Sequence, residues 1–552
     1  MATIQAKHWT DKVVQDILKW QAKQPGQLEL HVDDMKTPSG RVHTGSLRGV
    51  ILHDALAQVL AASTNQSVVS TYVFNDMDPM DGLPGYLDQA EYIPHMGKPL
   101  YRIPAPPLDQ SGLNLELVTP EERQRFAAAK TFGEFYALDF IDGFRKLGCT
   151  QEIVWSHELY ESGQMDEVIR ASLDNVEQIK KIYKQIADYD LPEKWYPFQV
   201  ICSQCGKVGT TLVTDWNGSE VTYECQPSKV EWAKGCGHSG KISPFGGTGK
   251  LLWKVDWPAH WAVMGVTVEG AGKDHTSAGG SRDMGKAIVE KVFNWPDPFD
   301  IPYEWILVRG AKMSSSKGIG TSAREFVRLF PAELGRFLFL NKHYNQVIDF
   351  DPTLMAIPDL FDEYDQAARI FWGQEEGDNR LGRAFELSQV TGQVPSAHFL
   401  PRFRDVAIWM QHPELDLNEE FSKIKGSALT KVEKNLLEER RQYAAVWIAQ
   451  YASTEFQLTF KPEKILAVEL TGAEQKYLAA VDELVASKTW QADQLQQALF
   501  DLAKGTLGTK QGFQAIYKAF LGKKAGPRAA WFLLNIPTSE RQHRFAQLIG
   551  KK

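Results

Sequence analysis

Two short segments of this 552-residue chain carry the residue types that a nucleoside triphosphate needs. The first is Pro38-Ser39-Gly40-Arg41-Val42-His43-Thr44-Gly45-Ser46 and the second is Lys312-Met313-Ser314-Ser315-Ser316-Lys317-Gly318. In the first, Gly40 and Gly45 flank His43 just where a helix should begin. The free N–H groups and positive dipole end of a helix N-terminus can hold a phosphate. Gly45 leaves the backbone open to close approach by an adenine or ribose, and His43 can donate to phosphate oxygens as charge builds at the α-phosphorus. In the second, Lys312 and Lys317 bracket Met313 and three serines. Two ammonium groups on flexible stems suit the β- and γ-phosphates, where charge accumulates as pyrophosphate leaves. Neither segment is a Walker loop, and no G-x-x-x-x-G-K-[ST] occurs. Taken singly, the first also reads as a turn with a surface histidine and the second as an exposed Ser/Lys loop.

A third stretch, Trp253-Lys254-Val255-Asp256-Trp257-Pro258-Ala259-His260-Trp261, places three tryptophans in nine residues. They suit a core or a pocket wall against which an alkyl chain or adenine can lie, and core packing is expected for two of the three. Glu269-Gly270-Ala271-Gly272-Lys273-Asp274-His275 follows, with the small, acidic and imidazole groups of a loop that handles ribose hydroxyls and substrate. Four of the five cysteines cluster as Cys202-x₂-Cys205, Cys225 and Cys236-Gly237-His238. This reads as a structural Zn²⁺ site of four thiolates, with His238 the substitute ligand if one drops out. The rival is a redox Cys-x-x-Cys, but no thioredoxin-like context surrounds it. Cys149 stands apart as a small buried hydrophobe.

The elements that position these residues follow from hydrophobic pattern. Trp9, Val13, Ile17 and Trp20 give residues 9–22 an amphipathic helix. Leu28–Val32 alternates as a strand, Leu47 to Leu60 forms the apolar face of a helix, and Val68–Phe74 is a second β-rich run. Strand, glycine loop, helix, strand is the βαβ unit of an open parallel sheet, whose ligands bind beyond the carboxyl ends of the strands. No G-x-G-x-x-G follows the first strand, so the dinucleotide fingerprint is absent. The region 95–260 reads as an insertion. The sheet resumes around Val263–Glu269, with a helix near Gly285–Phe293 and a strand at Tyr303–Val308, and from Phe326 onward the pattern is almost wholly helical.

Bulk properties bound the class. With 43% hydrophobic and 24% charged residues the composition is that of a soluble globular protein of three to four domains. The N-terminus has no apolar signal region and no run reaches the roughly 18 residues of a membrane span, so a cytoplasmic enzyme is expected. The net charge of −8 argues against a protein coated in nucleic acid, yet residues 501–552 carry seven Lys and three Arg against Asp501 and Glu540. Such a basic end can track a phosphate backbone, or be a solvated helical face.

Together these segments resemble the class I lysyl-tRNA synthetases, whose two ATP signatures the first and second segments match in variant form. The likeness extends over Asp76-Met77-Asp78-Pro79, Gly97-Lys98-Pro99-Leu100, Cys202–His238, Lys250–Pro258 through Gly272–His275, and Phe513–Tyr517 with Leu521–Arg528. It implies an α/β Rossmann-type catalytic domain with a zinc-bearing insertion, followed by all-α C-terminal domains. The corresponding boundaries are 1–94 and 261–325 for the two catalytic halves, 95–260 for the insertion, 326–400 for a helical stem-contact region and 401–552 for a helical anticodon-binding domain. It implies that lysine is activated with Mg²⁺-ATP and passed to the 3′-terminal ribose of tRNA(Lys), by a monomer that also holds structural Zn²⁺. By position, Pro38, Gly40, His43, Gly45, Ser46, Gly272, Asp274, Lys312, Met313, Ser314, Ser315, Ser316 and Lys317 are the ATP site, with His43, Lys312 and Lys317 catalytic. Thr37, His275 and Trp253, or else Trp257, fall at the lysine. Glu269 and Asp274 are candidates by charge alone for its ε-ammonium.

The chain departs from the family pattern at two places. Ser46 stands where the family usually has Asn, and Asp33-Asp34-Met35 stands where it typically shows Ala-Ser-Gly, adding bulk and two carboxylates beside the amino-acid site. A class I synthetase for another amino acid is the nearest alternative; for glutamate, Arg41 or Arg48 would supply the counter-charge. A non-catalytic tRNA-binding paralogue is the alternative of a different class.

Overall fold

The computed structural model describes residues 6–26, 28–64, 66–308, 321–353, 355–411, 415–452, 468–526 and 528–549. The Lys312–Gly318 segment therefore lies outside the described residues. The chain forms two compact units, Met1–Phe350 with Gln366–Ser396, and Asp351–Asp365 with Ala397–Lys552. The expected helical region 326–400 does not stay together, because the stretch Asp351–Asp365 groups with the second unit.

The first unit opens with helix α1 (Trp9–Gln21), whose N-cap His8 accepts the Thr10 amide while Asp11 reaches back to the cap backbone. Strand β1 (Leu30–Lys36), helix α2 (Leu47–Thr64) and strand β2 (Val68–Phe74) follow, and β1 and β2 pair in parallel from Leu30–Val68 to Lys36–Phe74. Strand β3 (Glu152–Trp155) pairs in parallel with the other edge of β2. On the far side of β1, Val32 bridges Val268 and Val268 bridges Phe299, both in parallel. The order is thus β3, β2, β1, the segment at Val268, then the segment at Phe299. Chain direction reverses its march at β1, and the crevice between β1 and the Val268 segment is a topological switch point, where open parallel sheets bind ligands.

The placement of β3 corrects the expected insertion 95–260. The first part of that interval supplies a strand of the central sheet, reached through the buried helix Phe132–Lys146. Its apolar run, Ile153-Val154-Trp155, is only three residues long and half-buried, too short to mark a strand by pattern. The inserted β-structure is narrower: β4 (Phe198–Val200) pairs antiparallel with β8 (Gly249–Leu251), and β5 (Thr211–Trp216), β6 (Val221–Cys225) and β7 (Ser239–Ile242) form an antiparallel meander. Beyond it, β9 (Ala271–Gly272) pairs with β10 (Pro302–Tyr303), and β11 (Ile306–Val308) with β12 (Ile348–Phe350), all in parallel. β12 interrupts the helical pattern expected from Phe326.

The second unit is helical in its described residues. Thr430–Glu433 and Thr471–Glu474 make reciprocal capping boxes on the helices Lys431–Gln450 and Gly472–Ala486. The buried Arg440 is clasped by Asp365, 2.7 and 2.5 Å away, and Trp409 stacks on Trp531 with ring centroids 4.7 Å apart. Lys504, Lys510, Lys524 and Arg528 of the basic end are exposed. No helix among the described residues is long and apolar enough to cross a membrane.

Candidate functional site

The first signature leaves β1 through Thr37 and Pro38 and turns at Gly40, whose φ of +139° favours glycine. A 3₁₀ turn, Thr44–Ser46, then feeds directly into α2. Its backbone is pinned by the chain that follows the second signature. Thr44 N–H donates to the Thr321 carbonyl at 3.2 Å, Ala323 N–H donates to Val42 at 2.9 Å, and His43 and Ser322 form an antiparallel bridge. Segments far apart in sequence thus meet at the N-terminus of α2. Ser322 and Glu325 cap the helix that follows, and the guanidinium of Arg41 lies 3.7 Å from Glu325.

At this junction, beyond the carboxyl end of β1, lies a cavity of about 220 Å³. His43, Gly45 and Ser46 line one side, and Gly272, Asp274 and His275 line another. Trp253 and Trp257 form a wall, and Asp34, Met35, Lys36 and Tyr72 of the sheet, with residues 269–271 and 303–306, also line the cavity.

The wall comes from the helix Trp253–Met264, on which Trp253, Trp257 and Trp261 recur every fourth residue and share a face. Trp253 stacks on Trp257 with centroids 5.2 Å apart and planes 10° apart, and His275 stands 5.8 Å from each. Trp257 and Trp261 are buried and Trp253 is half-buried, the expected division between core and pocket. Glu269 holds the two buried rings: Trp257 Nε1–H donates to one carboxylate oxygen at 2.8 Å and Trp261 Nε1–H donates to the other. Burial pushes Glu269 up to about 7, against the pull of the two indole donors.

Thr37 does not line the cavity. Its hydroxyl donates to Asp78 at 2.5 Å, and Asp78 also pairs with the buried ammonium of Lys250, which lies 3.0 Å from Asp256. Tyr160 donates to the same Asp256. Asp76 and Asp78 of the family-like stretch therefore act as ties: Asp76 accepts from the Ser156 hydroxyl at 3.1 Å and the His157 amide at 3.0 Å at the end of β3. Pro38 and Gly40 shape the turn rather than face the cavity. The arginines that a glutamate site would need are committed elsewhere, Arg41 to the Gly112 carbonyl at 2.8 Å and Arg48 to the carbonyls of His343, Tyr344 and Gln346. The tyrosines Tyr72 and Tyr303 went unnoticed in the sequence, since each sits in a β-run that reads as ordinary core.

The four clustered cysteines converge in the inserted β-structure. Their Sγ atoms all lie within 4.8 Å of one another, with Cys202–Cys236 and Cys205–Cys225 each at 3.6 Å. Four thiolates about 2.3 Å from a central Zn²⁺ require sulfur separations of this size. His238 is not in the group; its Nε2 lies 3.2 Å from the Ser203 hydroxyl. Cys149 is buried apart from them, and its burial pushes the thiol far above its usual value.

Residues 7–112 and 120–391 match the family model described as tRNA synthetases class I (K). Among curated proteins, the chain is 29% identical to a lysine–tRNA ligase of Methanosphaera stadtmanae, over 96% of this chain and 97% of that one. It is 30% identical to a lysine–tRNA ligase of Archaeoglobus fulgidus over the same shares, and 30% identical to one of Methanosarcina barkeri over 98% and 97%. Among solved structures, a glutamate tRNA ligase of Elizabethkingia meningosepticum is similar at 12% identity and a TM-score of 0.39, over 95% of this chain and 99% of that one. A family match over most of the chain, joined to relatives of its full length, means that the chain belongs to the lysine-type class I tRNA synthetases.

Proposed function

We propose that the chain is a lysine–tRNA ligase, which activates L-lysine with Mg²⁺-ATP and transfers it to the 3′-terminal ribose of tRNA(Lys). The observation that carries this reading is the cavity at the switch point, where the His43–Ser46 turn, the Gly272–His275 loop and the tryptophan wall converge. ATP lies along the N-terminus of α2, with His43, Gly45 and Ser46 at the phosphates and Gly272 and Asp274 at the ribose. The carboxylate of lysine attacks the α-phosphorus, and pyrophosphate leaves toward Lys312 and Lys317, with Met313 and Ser314–Ser316 carrying the rest of that loop. Positioning and charge neutralisation supply the acceleration, and no side chain becomes covalently bonded. Trp253 and His275 flank the lysine side chain, and Thr37 steadies the pocket through Asp78.

Cys202, Cys205, Cys225 and Cys236 hold a structural Zn²⁺ that fixes the inserted meander, where a four-coordinate ion contributes folding energy. The helical second unit, with its basic end, takes the tRNA. The chain works as a cytoplasmic monomer.

The test is ATP–pyrophosphate exchange with each of the twenty amino acids, with and without tRNA. Lysine alone should stimulate exchange. Exchange with a different amino acid would overturn the lysine assignment, and no exchange by folded, zinc-loaded protein would favour a non-catalytic paralogue.

A further inference from the structure

We infer that the carboxylate of Asp34, packed with the Tyr303 hydroxyl against the bare backbone of Gly49, receives the ε-ammonium of the substrate lysine. This deepens the lysine reading and rests on it.

Asp34 lines the cavity and is only 7% exposed. One of its oxygens accepts the neighbouring Met35 amide at 2.9 Å. The other lies 3.6 Å from Nδ1 of His53, but that nitrogen is 2.7 Å from the Gly49 carbonyl, and the opposite ring nitrogen accepts the Gly270 amide at 2.7 Å. Among the described residues no lysine or arginine nitrogen lies within 4 Å of Asp34. A carboxylate taken out of water is costly unless a cation pairs with it, and the cavity beside Asp34 has room for one.

Asp34 and Tyr303 can take up these places because position 49 has no side chain. A Cβ on Gly49 would stand 2.6 Å from the Asp34 oxygen that faces His53 and 2.7 Å from the Tyr303 hydroxyl. Both oxygens therefore crowd onto the bare backbone of α2, and both can accept from one ammonium. The ring of Tyr72 on the sheet side offers an apolar and aromatic surface to the methylene stem.

The other acids near the cavity are less suited. Both oxygens of Glu269 are taken by indole N–H groups. Asp33 points to the opposite face of β1, accepts from Thr71, and is held well above the usual carboxylate range by burial and by Glu269. Asp274 is exposed at the Gly272 end of the cavity. Lys36 lies two residues beyond Asp34 on the same face of β1, about 6.6 Å further along the strand toward the phosphate end. A lysine whose ammonium meets Asp34 can therefore present its carboxylate toward Lys36, His43 and the α-phosphate.

The test compares wild type with Asp34→Asn in ATP–pyrophosphate exchange in the presence of tRNA, together with inhibition by L-norleucine, whose side chain ends at the ε-carbon and lacks the ammonium. Asp34→Asn should raise the KM for lysine by about 100-fold, leave the KM for ATP within about threefold, and reduce the preference for lysine over norleucine by the same 100-fold. An unchanged lysine KM in Asp34→Asn overturns the inference. Should that variant lose its fold, judged by its melting transition, Gly49→Ala decides: displacement of the Asp34 carboxylate and the Tyr303 hydroxyl by the new Cβ should raise the lysine KM about tenfold with the ATP KM unchanged, and no change overturns the inference. A wild-type chain without lysine-dependent exchange overturns the lysine reading itself, an outcome distinct from a variant that matches an active wild type.

Discussion

The indole N–H of Trp257 donates to Glu269 at 2.8 Å, and Trp261 occupies the second oxygen of the same carboxylate. One buried acid thus fixes the rings behind the pocket wall, and it does so as a hydrogen-bond acceptor inside an apolar cluster. Burial raises Glu269 to about 7 from the ordinary glutamate value of 4.5. Between those values the folded chain holds a proton that the unfolded chain has released. This stabilising difference is fully present below pH 4.5 and is lost as pH rises through 7, an effect of about 3 kcal/mol. Glu269→Gln should abolish that slope while it disturbs the wall, because an amide offers one acceptor where two indoles need one each. Melting temperatures at pH 5 and pH 8 check this: the variant should change less between them than wild type does.

His8 produces a slope of the opposite sign. Its Nδ1 accepts the Thr10 amide at 3.3 Å, its Nε2 lies 2.9 Å from the Leu340 carbonyl, and burial lowers its pKa to about 4 despite the Leu340 carbonyl and Asp11 nearby. Below pH 6.5 the unfolded chain takes up a proton that the folded chain refuses, so stability falls from pH 6.5 to 4 by about 3 kcal/mol. In wild type the two groups offset one another between pH 4.5 and 6.5. His8→Gln should therefore expose the Glu269 slope, and its stability relative to wild type should rise as pH falls from 6.5 and level off below about pH 4. A pH series of denaturation midpoints for the two proteins reads this directly.

The cysteine cluster predicts stoichiometric metal. One Zn²⁺ per chain should be released by a strong chelator or by thiol modification. Cys202→Ser should lose it outright, since three thiolates bind far more weakly than four, and structural zinc contributes on the order of 10 kcal/mol to a fold at pH 7. The damage should appear first in the meander β5–β7, read as new protease cleavage between residues 198 and 251. His238→Ala should retain the metal, because its ring faces Ser203 rather than the sulfurs. Zinc measured in each variant distinguishes these cases.

Much of the site could be read in the sequence wherever function needs residue types that a plain core does not use. Gly40 and Gly45 around His43, the Cys-x₂-Cys spacing and the Gly272-Lys273-Asp274-His275 loop each break the hydrophobic pattern and so stand out. Asp34 stood out as a departure, but alternation along β1 does not say which of Asp33 and Asp34 faces the ligand; that is fixed by pairing to β2 on one side and Val268 on the other. Tyr72 and Tyr303 look like the core residues around them. β3 escaped because its apolar run, Ile153-Val154-Trp155, is too short to separate a strand from a helix by period, and its place in the sheet is fixed by pairing to β2. Glu269 and Asp274 looked alike by charge, and only the two indole donors separate their roles.

Lys250 joins the pocket to the inserted β-structure, which makes it a sensitive point for both stability and binding. Its ammonium is 3% exposed and is shared by Asp78 and Asp256, and the attraction of these acids outweighs the cost of burial, so its pKa is raised. Lys250→Met leaves the buried Asp256 and the partly buried Asp78 without that cation, a loss of about 3–5 kcal/mol. Arginine is no remedy, since a planar fork does not fit where a compact ammonium bridges two acids. The loss should extend to the substrate, because Asp78 also accepts from Thr37 at the start of the first signature. Lys250→Met should therefore lower the melting temperature and raise the lysine KM together, whereas Thr37→Val should raise the KM with a much smaller loss of stability. If Lys250→Met lowered stability and left the lysine KM unchanged, the path from Lys250 through Asp78 to Thr37 would be structural only.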